Sequence, residues 1–352
     1  MTKAAGKQIP ATPTGPRSRS REWLARLLPL LIGGGLLALI LSRIDLAKLG
    51  SVLKDAQWYW YALALLLLMA NLLLISGRWR FNLGLLNLRY PYLELFLIDQ
   101  AGALAGAATP GRMGDLARLV YFRQEKPVLV RVGLSILVER LLDLTVLVAL
   151  AMVFLWFLPL PNSLQRLCTS LALAVGLLGL ALIGIIRWFW GSAWFGSKIL
   201  TFLPAGLQER FAGSGAEVQA TLRGYANWRL IWSFGLTGLA WGVNILSAHC
   251  SALALGLPLT LGQTGACFCL STLFTLMPVS VAGIGTRELA MVYLFSFLGL
   301  PAEQALAFSF LLLGFLVAHS IIGFVALLSK PPQPRLTAAT PPAGSQATLL
   351  RE

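Results

Sequence analysis

Two stretches of this 352-residue chain interrupt an apolar run in the same way. Residues 101–118 read AGALAGAATPGRMGDLAR, and residues 271–290 read STLFTLMPVSVAGIGTRELA. Each apolar segment meets a proline (Pro110, Pro278) and then a turn studded with glycine (Gly111 and Gly114; Gly283 and Gly285). Each ends in an acid–base cluster that includes Leu-Ala. In lipid no water satisfies free backbone polar groups, so such breaks are tolerated only where they are buried in protein or line a cavity. Interrupted hydrophobic segments at corresponding places in two halves of a chain point to a transporter's binding site.

Composition puts the breaks in a membrane. The chain is 57% hydrophobic and 12% charged, with a mean hydropathy of +0.76, which marks a polytopic membrane protein. A hydrocarbon core takes about 20 apolar residues to cross. The clearest candidates are 27–41, 58–75, 141–158, 167–186, 231–255 and 306–328. A net charge of +14 invites a nucleic-acid reading, but basic residues beside spans are explained by topology and by anionic head groups. No nucleic-acid partner is expected. Cys168, Cys250, Cys267 and Cys269 lack zinc spacing and read as small packing residues; no metal or cofactor site is expected.

The basic residues predict the topology. Residues 1–26 are polar, rich in Pro, Thr and Arg, unlike a signal peptide, and should form a disordered cytoplasmic N-terminus. A second span then returns Arg78, Arg80 and Arg89 to the inside, where Arg78-Trp79-Arg80 reads as an interfacial anchor. The broken segment has basic residues on its far side too: Arg112, Arg118, Arg123, Lys126 and Arg131. A full crossing would leave one cluster outside, whereas a re-entrant hairpin keeps both inside. The uncharged 159–165 then suits the outer face.

The second half repeats the scheme with reversed orientation. A span at 168–186 returns inward to a basic, Trp-rich connector at 187–229, a span from 230 exits, and a second hairpin dips from outside. A last span brings Lys330 inside, and a Pro/Ala/Thr-rich tail at 330–352 reads as disordered. The expected fold is therefore all-α: about six full spans plus two re-entrant hairpins in an inverted repeat. The transmembrane domain would run 27–329, with half-repeats at about 27–160 and 165–329, in the cell membrane with both termini cytoplasmic. Full crossing by every segment would give an odd number of spans and a basic C-terminus outside.

Ionisable residues at membrane depth are costly and usually face a protein interior with partners. Asp115 and Arg118 stand three apart and could pair, at a helix start suited to anions; a capped helix with one salt bridge is the plainer reading. In SILVERLLDL, Glu139, Arg140 and Asp143 lie within about one turn among apolar residues. An ion-pair network reaching Arg112 or Arg118 is the simplest solution. Arg287 and Glu288 follow the second break, and Arg suits bidentate recognition of phosphate. These eight residues are the candidate head-group site. His249 and His319 read as packing residues, and Asn71 and Asn244 as partners across helices. No metal triad, nucleophile–base pair or nucleotide loop is present to make an enzyme.

The ordered motifs PGRMGDLAR, VERLLDL and PVSVAGIGTRELA, across roughly 27–328, resemble the lysylphosphatidylglycerol synthase transmembrane-region family, also called the flippase-like domain or UPF0104 family. That family usually has Glu where this chain has Asp115, which shortens the reach. The resemblance implies translocation of a membrane phospholipid or an isoprenoid-linked lipid, as in glycan and hopanoid pathways. In bifunctional members the domain precedes a soluble aminoacyl transferase; the chain ends soon after its last span, so it is expected not to aminoacylate lipid. The alternative is an accessory subunit that docks a membrane-associated synthase or glycosyltransferase.

Overall fold

The computed structural model describes residues 37–42, 45–107, 109–122, 126–163, 228–276 and 283–329, with isolated positions between 165 and 177 and between 218 and 225. The N-terminus at 1–26, most of the span at 27–41 and of that at 168–186, the connector at 187–229, Pro278 and the tail from 330 lie wholly or largely outside the described residues. All regular structure among the described residues is helical.

A short helix α1 (Leu46–Lys54), capped by the Asp45 carboxylate, precedes the long α2 (Trp58–Leu85). The first break joins α3 (Tyr92–Ala107) to a 3₁₀ segment (Pro110–Tyr121), which leads into α4 (Lys126–Leu155). The second half holds α5 (Leu230–Ala254), α6 (Leu261–Leu276), α7 (Thr286–Phe297) and α8 (Ala302–Leu328). Among the described residues, α2, α5 and α8 are long and apolar enough to cross a membrane. Their outward faces carry large exposed aliphatic side chains such as Leu66, Leu239 and Ile321, as a lipid-facing surface requires. The 30-residue α4 is long enough but carries Arg131, Glu139, Arg140 and Asp143. Helices α3 and α6 have 16 residues each. At 1.5 Å per residue they reach about 24 Å, short of a hydrocarbon core of about 30 Å.

Between lipid-solvated helices the hydrophobic effect offers little, so close packing and polar contacts hold them together. The pair α2 and α5 shows how. Asn82 meets Ser233 (2.8 Å), Arg78 meets Thr237 (2.9 Å), Asn71 meets Asn244 (3.0 Å) and the Ala64 carbonyl meets Ser247 (2.7 Å). Numbers rise along one helix as they fall along the other, so the two are antiparallel and joined by a ladder of polar contacts. Asn71 and Asn244, both expected to bond across helices, do so with each other and form one rung of it.

Glycines set the remaining close approaches. Gly102 and Gly106 form a GxxxG face on α3, and side chains of the 3₁₀ segment fill it. A Cβ at Gly102 would overlap Arg118 Cγ, and one at Gly106 would stand 2.9 Å from Asp115 Cγ. Gly323 brings α8 onto α3, where a Cβ would stand 2.6 Å from the Gln100 carbonyl oxygen, while Gly265 brings α6 onto Phe154 of α4. Gly283 combines a left-handed φ of +74° with a would-be Cβ 2.6 Å from Thr275 Cβ. One apolar core forms around Trp79, Leu95, Ile98, Phe122 and Ile136, a second around Ala266, Met291, Phe295 and Phe308. Cys267 and Cys269 are buried in packing positions.

Overpacking of a filled site costs typically about 1–3 kcal/mol. Gly106→Val and Gly283→Ala should therefore lower the detergent-solubilised unfolding midpoint, while Gly238→Ala, whose Cβ would meet nothing within 4 Å, should not. Equal midpoints for Gly238→Ala and Gly106→Val would refute the close-packing account.

Candidate functional site

The first break gathers charges from four elements. Arg78 on α2 is 2% exposed, and its guanidinium bonds both oxygens of Asp143 on α4, at 2.5 and 3.1 Å. Its Nε lies 3.6 Å from Glu139. Arg118 on the 3₁₀ segment bonds Asp99 on α3 at 3.0 Å and Glu139 at 3.4 Å, and stacks 4.9 Å over the Trp79 ring. Asp99 also accepts from Ser76 at 2.7 Å. Asp115, at the seat made by Gly106, pairs with Arg140. In a 3₁₀ helix residues three apart eclipse one another, so Asp115 and Arg118 present one row towards α3 and α4.

Several sequence-based expectations meet this geometry. Glu139 does pair with Arg118. Asp115 and Arg118 do not pair with each other, because the eclipsed row turns both towards neighbouring elements: Asp115 to Arg140, Arg118 to Asp99 and Glu139. Asp143 is taken by Arg78 rather than by Arg140. Arg78 is no interfacial anchor; it is the buried hub, and Trp79 beside it is fully buried. The helical spacing of Asn71, Arg78 and Asn82, at i, i+7 and i+11, is the signal that reveals this polar face. A matching stripe of Ser233, Thr237, Asn244, Ser247 and Ser251 lies on α5. The Arg112 side chain lies outside the described residues, as do those of Pro110, Met113 and their neighbours.

The second break is self-contained. Gly283 and Gly285 take φ of +74° and +82°, and the Gly285 N–H donates to the Glu288 carboxylate at 2.6 Å, capping α7. Arg287 donates from Nη2 to Glu288 at 2.6 Å and from Nε to Ser309 on α8 at 2.9 Å. Ser309 in turn donates to Glu288 at 2.8 Å. Burial of all three makes this a packed triad rather than an interfacial pair.

A cavity of about 300 Å³ lies between the two breaks. Its wall holds Gly106 and Thr109 from the first, and Thr275, Leu276 and Arg287 from the second. Arg140 and Asp143, with side chains 36% and 24% exposed, bring the ion network to its edge. Asn71, Asn244, Ser271, Thr272 and His319 add hydrogen-bonding groups, and Trp241, Phe268 and Phe315 add aromatic surface. Binding pockets run about 300–1,000 Å³, so this one suits a small polar group rather than a whole lipid. Of the eight candidate residues, Arg140, Asp143 and Arg287 line it; Asp115, Arg118, Glu139 and Glu288 stand behind as their partners. His249 lies elsewhere, bonded to Thr264 at 3.1 Å.

Removing one member of a buried ion pair costs roughly 3–5 kcal/mol, because its partner stays buried and uncompensated. Arg78→Ala should lower the unfolding midpoint sharply, and Arg78→Met with Asp143→Asn should recover part of the loss. A wild-type midpoint for Arg78→Ala would show the hub carries no structural load.

Comparison with known proteins agrees with the architecture. A relative from Haloferax volcanii named "Glycosyltransferase AglD" is 27% identical over 333 residues, covering 81% of this chain and 50% of its own length. The chain thus spans about half the length of that relative. No solved structure matches it. The sequence matches the family described as the lysylphosphatidylglycerol synthase TM region over residues 26–323, and the protein belongs to that membrane family.

Proposed function

We propose that this protein moves a membrane phospholipid or an isoprenoid-linked lipid between leaflets, its polar head group occupying the cavity between the two breaks while the acyl or prenyl chains stay in the bilayer. The observation that carries this reading is one polar, charged cavity walled by both interrupted segments and set among apolar helices with lipid-facing surfaces. Its size fits a head group, and its aromatic and hydroxyl lining fits a polar ester. Arg287 is the cation placed to receive the phosphate: Nε and Nη2 are committed to Glu288 and Ser309, which fix the guanidinium plane against the cavity. Arg140 faces the same space from the first half. Arg112 and Arg118 are the other head-group candidates; Arg118 is spent on Asp99 and Glu139.

In this reading α3 with the 3₁₀ segment, and α6 with α7, are re-entrant hairpins of an inverted repeat. Element lengths support it: 28 and 25 residues for α2 and α5, 16 and 16 for α3 and α6, 12 and 12 for the 3₁₀ segment and α7, 30 and 27 for α4 and α8. So does the packing, since α3 lies on α8 and α6 on α4, while the equivalent α2 and α5 run antiparallel. The basic flanks orient both termini to the cytoplasm of a cell-membrane protein.

The printed name of the Haloferax relative favours a second reading, in which the domain serves a glycosyltransferase as an accessory subunit and its broken segments dock the partner. Reconstituted vesicles with a leaflet-resolved fluorescent lipid separate the two. A hydrogen bond to a charged group contributes about 1.5–3 kcal/mol, or roughly 10–100-fold in rate. Arg287→Lys, which keeps charge but loses the planar fork, should slow lipid movement by that factor with normal protein yield. Thr272→Phe, which fills the cavity, should do the same. Wild-type rates in both variants would leave the docking reading in possession.

A further inference from the structure

The wall of the cavity between the breaks carries hydrogen-bond acceptors that a phosphate cannot answer. On α6, Thr272 donates its hydroxyl proton to the Phe268 carbonyl at 2.7 Å, Ser271 donates to the same carbonyl at 3.1 Å, and Thr275 donates to the Thr272 carbonyl at 2.7 Å. A hydroxyl has one proton and two lone pairs, so with the proton spent inside the helix each oxygen can only accept from the cavity. All three residues line it. Helices α2 and α5 add an amide pair to the same wall: Asn71 donates to Asn244 at 3.0 Å, which leaves its own carbonyl oxygen buried and without a partner. Whichever way the two amides face, one polar atom of Asn71 is left over.

A phosphodiester presents only acceptors. The guanidinium groups of Arg287 and Arg140 answer it, and the α6 oxygens stay unmet. The rest of the head group must therefore donate, because a buried acceptor without a partner costs binding. Hydroxyl and ammonium groups both donate, and the charge of the wall chooses between them. Of the charged residues described on it, two are arginines and the third is Asp143, whose oxygens are both taken by Arg78. The sequence of the breaks, ATPGRMG at 108–114 and MPVSVA at 277–282, contains no acid and adds a cation, Arg112. An ammonium group would face arginines and, among the described lining residues, no uncommitted carboxylate; a hydroxyl carries no such cost. Trp241, one turn before Asn244 on α5, and Phe268, with its ring centroid 6.3 Å from that of Trp241, set flat apolar surface beside the acceptors. A polyol has the same alternation, with C–H faces between hydroxyl edges.

We infer that the cavity selects a polyol head group, a glycerol or a sugar joined to phosphate, over choline, ethanolamine or bare phosphate. This rests on the head-group reading of the cavity and adds which head groups it takes. Arg287 and Arg140 hold the phosphate, while Ser271, Thr272 and Thr275 accept from the hydroxyls. A hydroxyl also meets the leftover atom of Asn71, since it can act as donor or acceptor. Trp241 and Phe268 lie along the carbon skeleton. Two lipid sources share this chemistry: the glycerol head group of a phosphatidylglycerol, and the sugar phosphate of an isoprenoid-linked glycan.

Equilibrium dialysis of the detergent-solubilised full chain against radiolabelled glycerol 3-phosphate, glucose 1-phosphate, phosphocholine, phosphoethanolamine and inorganic phosphate tests it. At least one of the first two should bind about tenfold more tightly than the last three, and the tighter of the two identifies the source. Thr272→Val is isosteric and gives up only a bond within its own helix, so it should fold. It should weaken binding of the favoured polyol phosphate about 2–10-fold, the worth of one neutral hydrogen bond, and leave phosphocholine unchanged. Thr272→Ser should bind as wild type, and so should Ser296→Ala, whose hydroxyl makes the same kind of intrahelical bond outside the cavity. Equal binding of all five compounds, or tighter binding of phosphocholine or phosphoethanolamine, overturns the polyol selection and leaves the phosphate site standing. Wild-type affinities in Thr272→Val overturn the role of the α6 acceptors, and no binding of any compound overturns the head-group cavity with it. In vesicles carrying fluorescent phosphatidylglycerol or fluorescent phosphatidylcholine, the former should change leaflet faster. A polyol preference in dialysis with no movement of either lipid overturns the transport reading and leaves the polyol site in place.

Discussion

Arg78 sits within a membrane helix, two turns from its end, with almost no exposure, and such a charge persists only if neighbouring elements supply it partners. That requirement organises the first half of the molecule. Asp143 and Glu139 fix the face that α4 turns inward, Thr237 fixes the register of α5, and Arg118, sharing Glu139, brings in the 3₁₀ segment and through Asp99 also α3. In water these contacts would compete with hydration and be worth little. In hydrocarbon the alternative to pairing is an orphaned charge, so the network is specified by what it avoids. Close packing at Gly102 and Gly106 is part of the same constraint, since a larger residue there would push the arginine and aspartate out of reach.

The cavity follows from two differently built breaks. Pro110 opens the 3₁₀ segment on one side and the left-handed Gly283 and Gly285 precede α7 on the other, and the space between is lined in part by polar side chains. Twelve residues of 3₁₀ helix is an uncommonly long run, with poorer hydrogen-bond geometry than an α-helix. Asp115 and Arg118, three apart in it, bond out to α3 and α4. On the opposite wall, α7 is an ordinary helix whose N-terminus is satisfied by its own Glu288.

Much of this is legible in the sequence, and what escapes it shares one cause. Pro110, Pro278 and the glycines after them mark the breaks because their backbone preferences are local. Glu139 and Arg118 can be matched because both are charges in apolar surroundings and need partners. The Asn71–Asn244 bond is readable for the same reason. Arg78 misleads because an Arg-Trp-Arg run near the end of an apolar segment has a local explanation, an interfacial anchor, that suffices alone. Its true role depends on α4 and α5, which lie far away in sequence. The partners of Asp115 and Arg140 escape because α-helical spacing does not hold where the chain is 3₁₀.

The two walls also differ in how freely they could move. Arg287, Glu288 and Ser309 form a closed set on α7 and α8, so those helices can shift together without exposing a charge. The 3₁₀ segment has no such freedom: Arg118 is bound to α3 and α4, and Asp115 to α4, so moving it means separating buried ion pairs at several kcal/mol each. Any rearrangement that opens the cavity at low cost must therefore either carry α7 and α8 as a unit or first weaken the grip on Arg118.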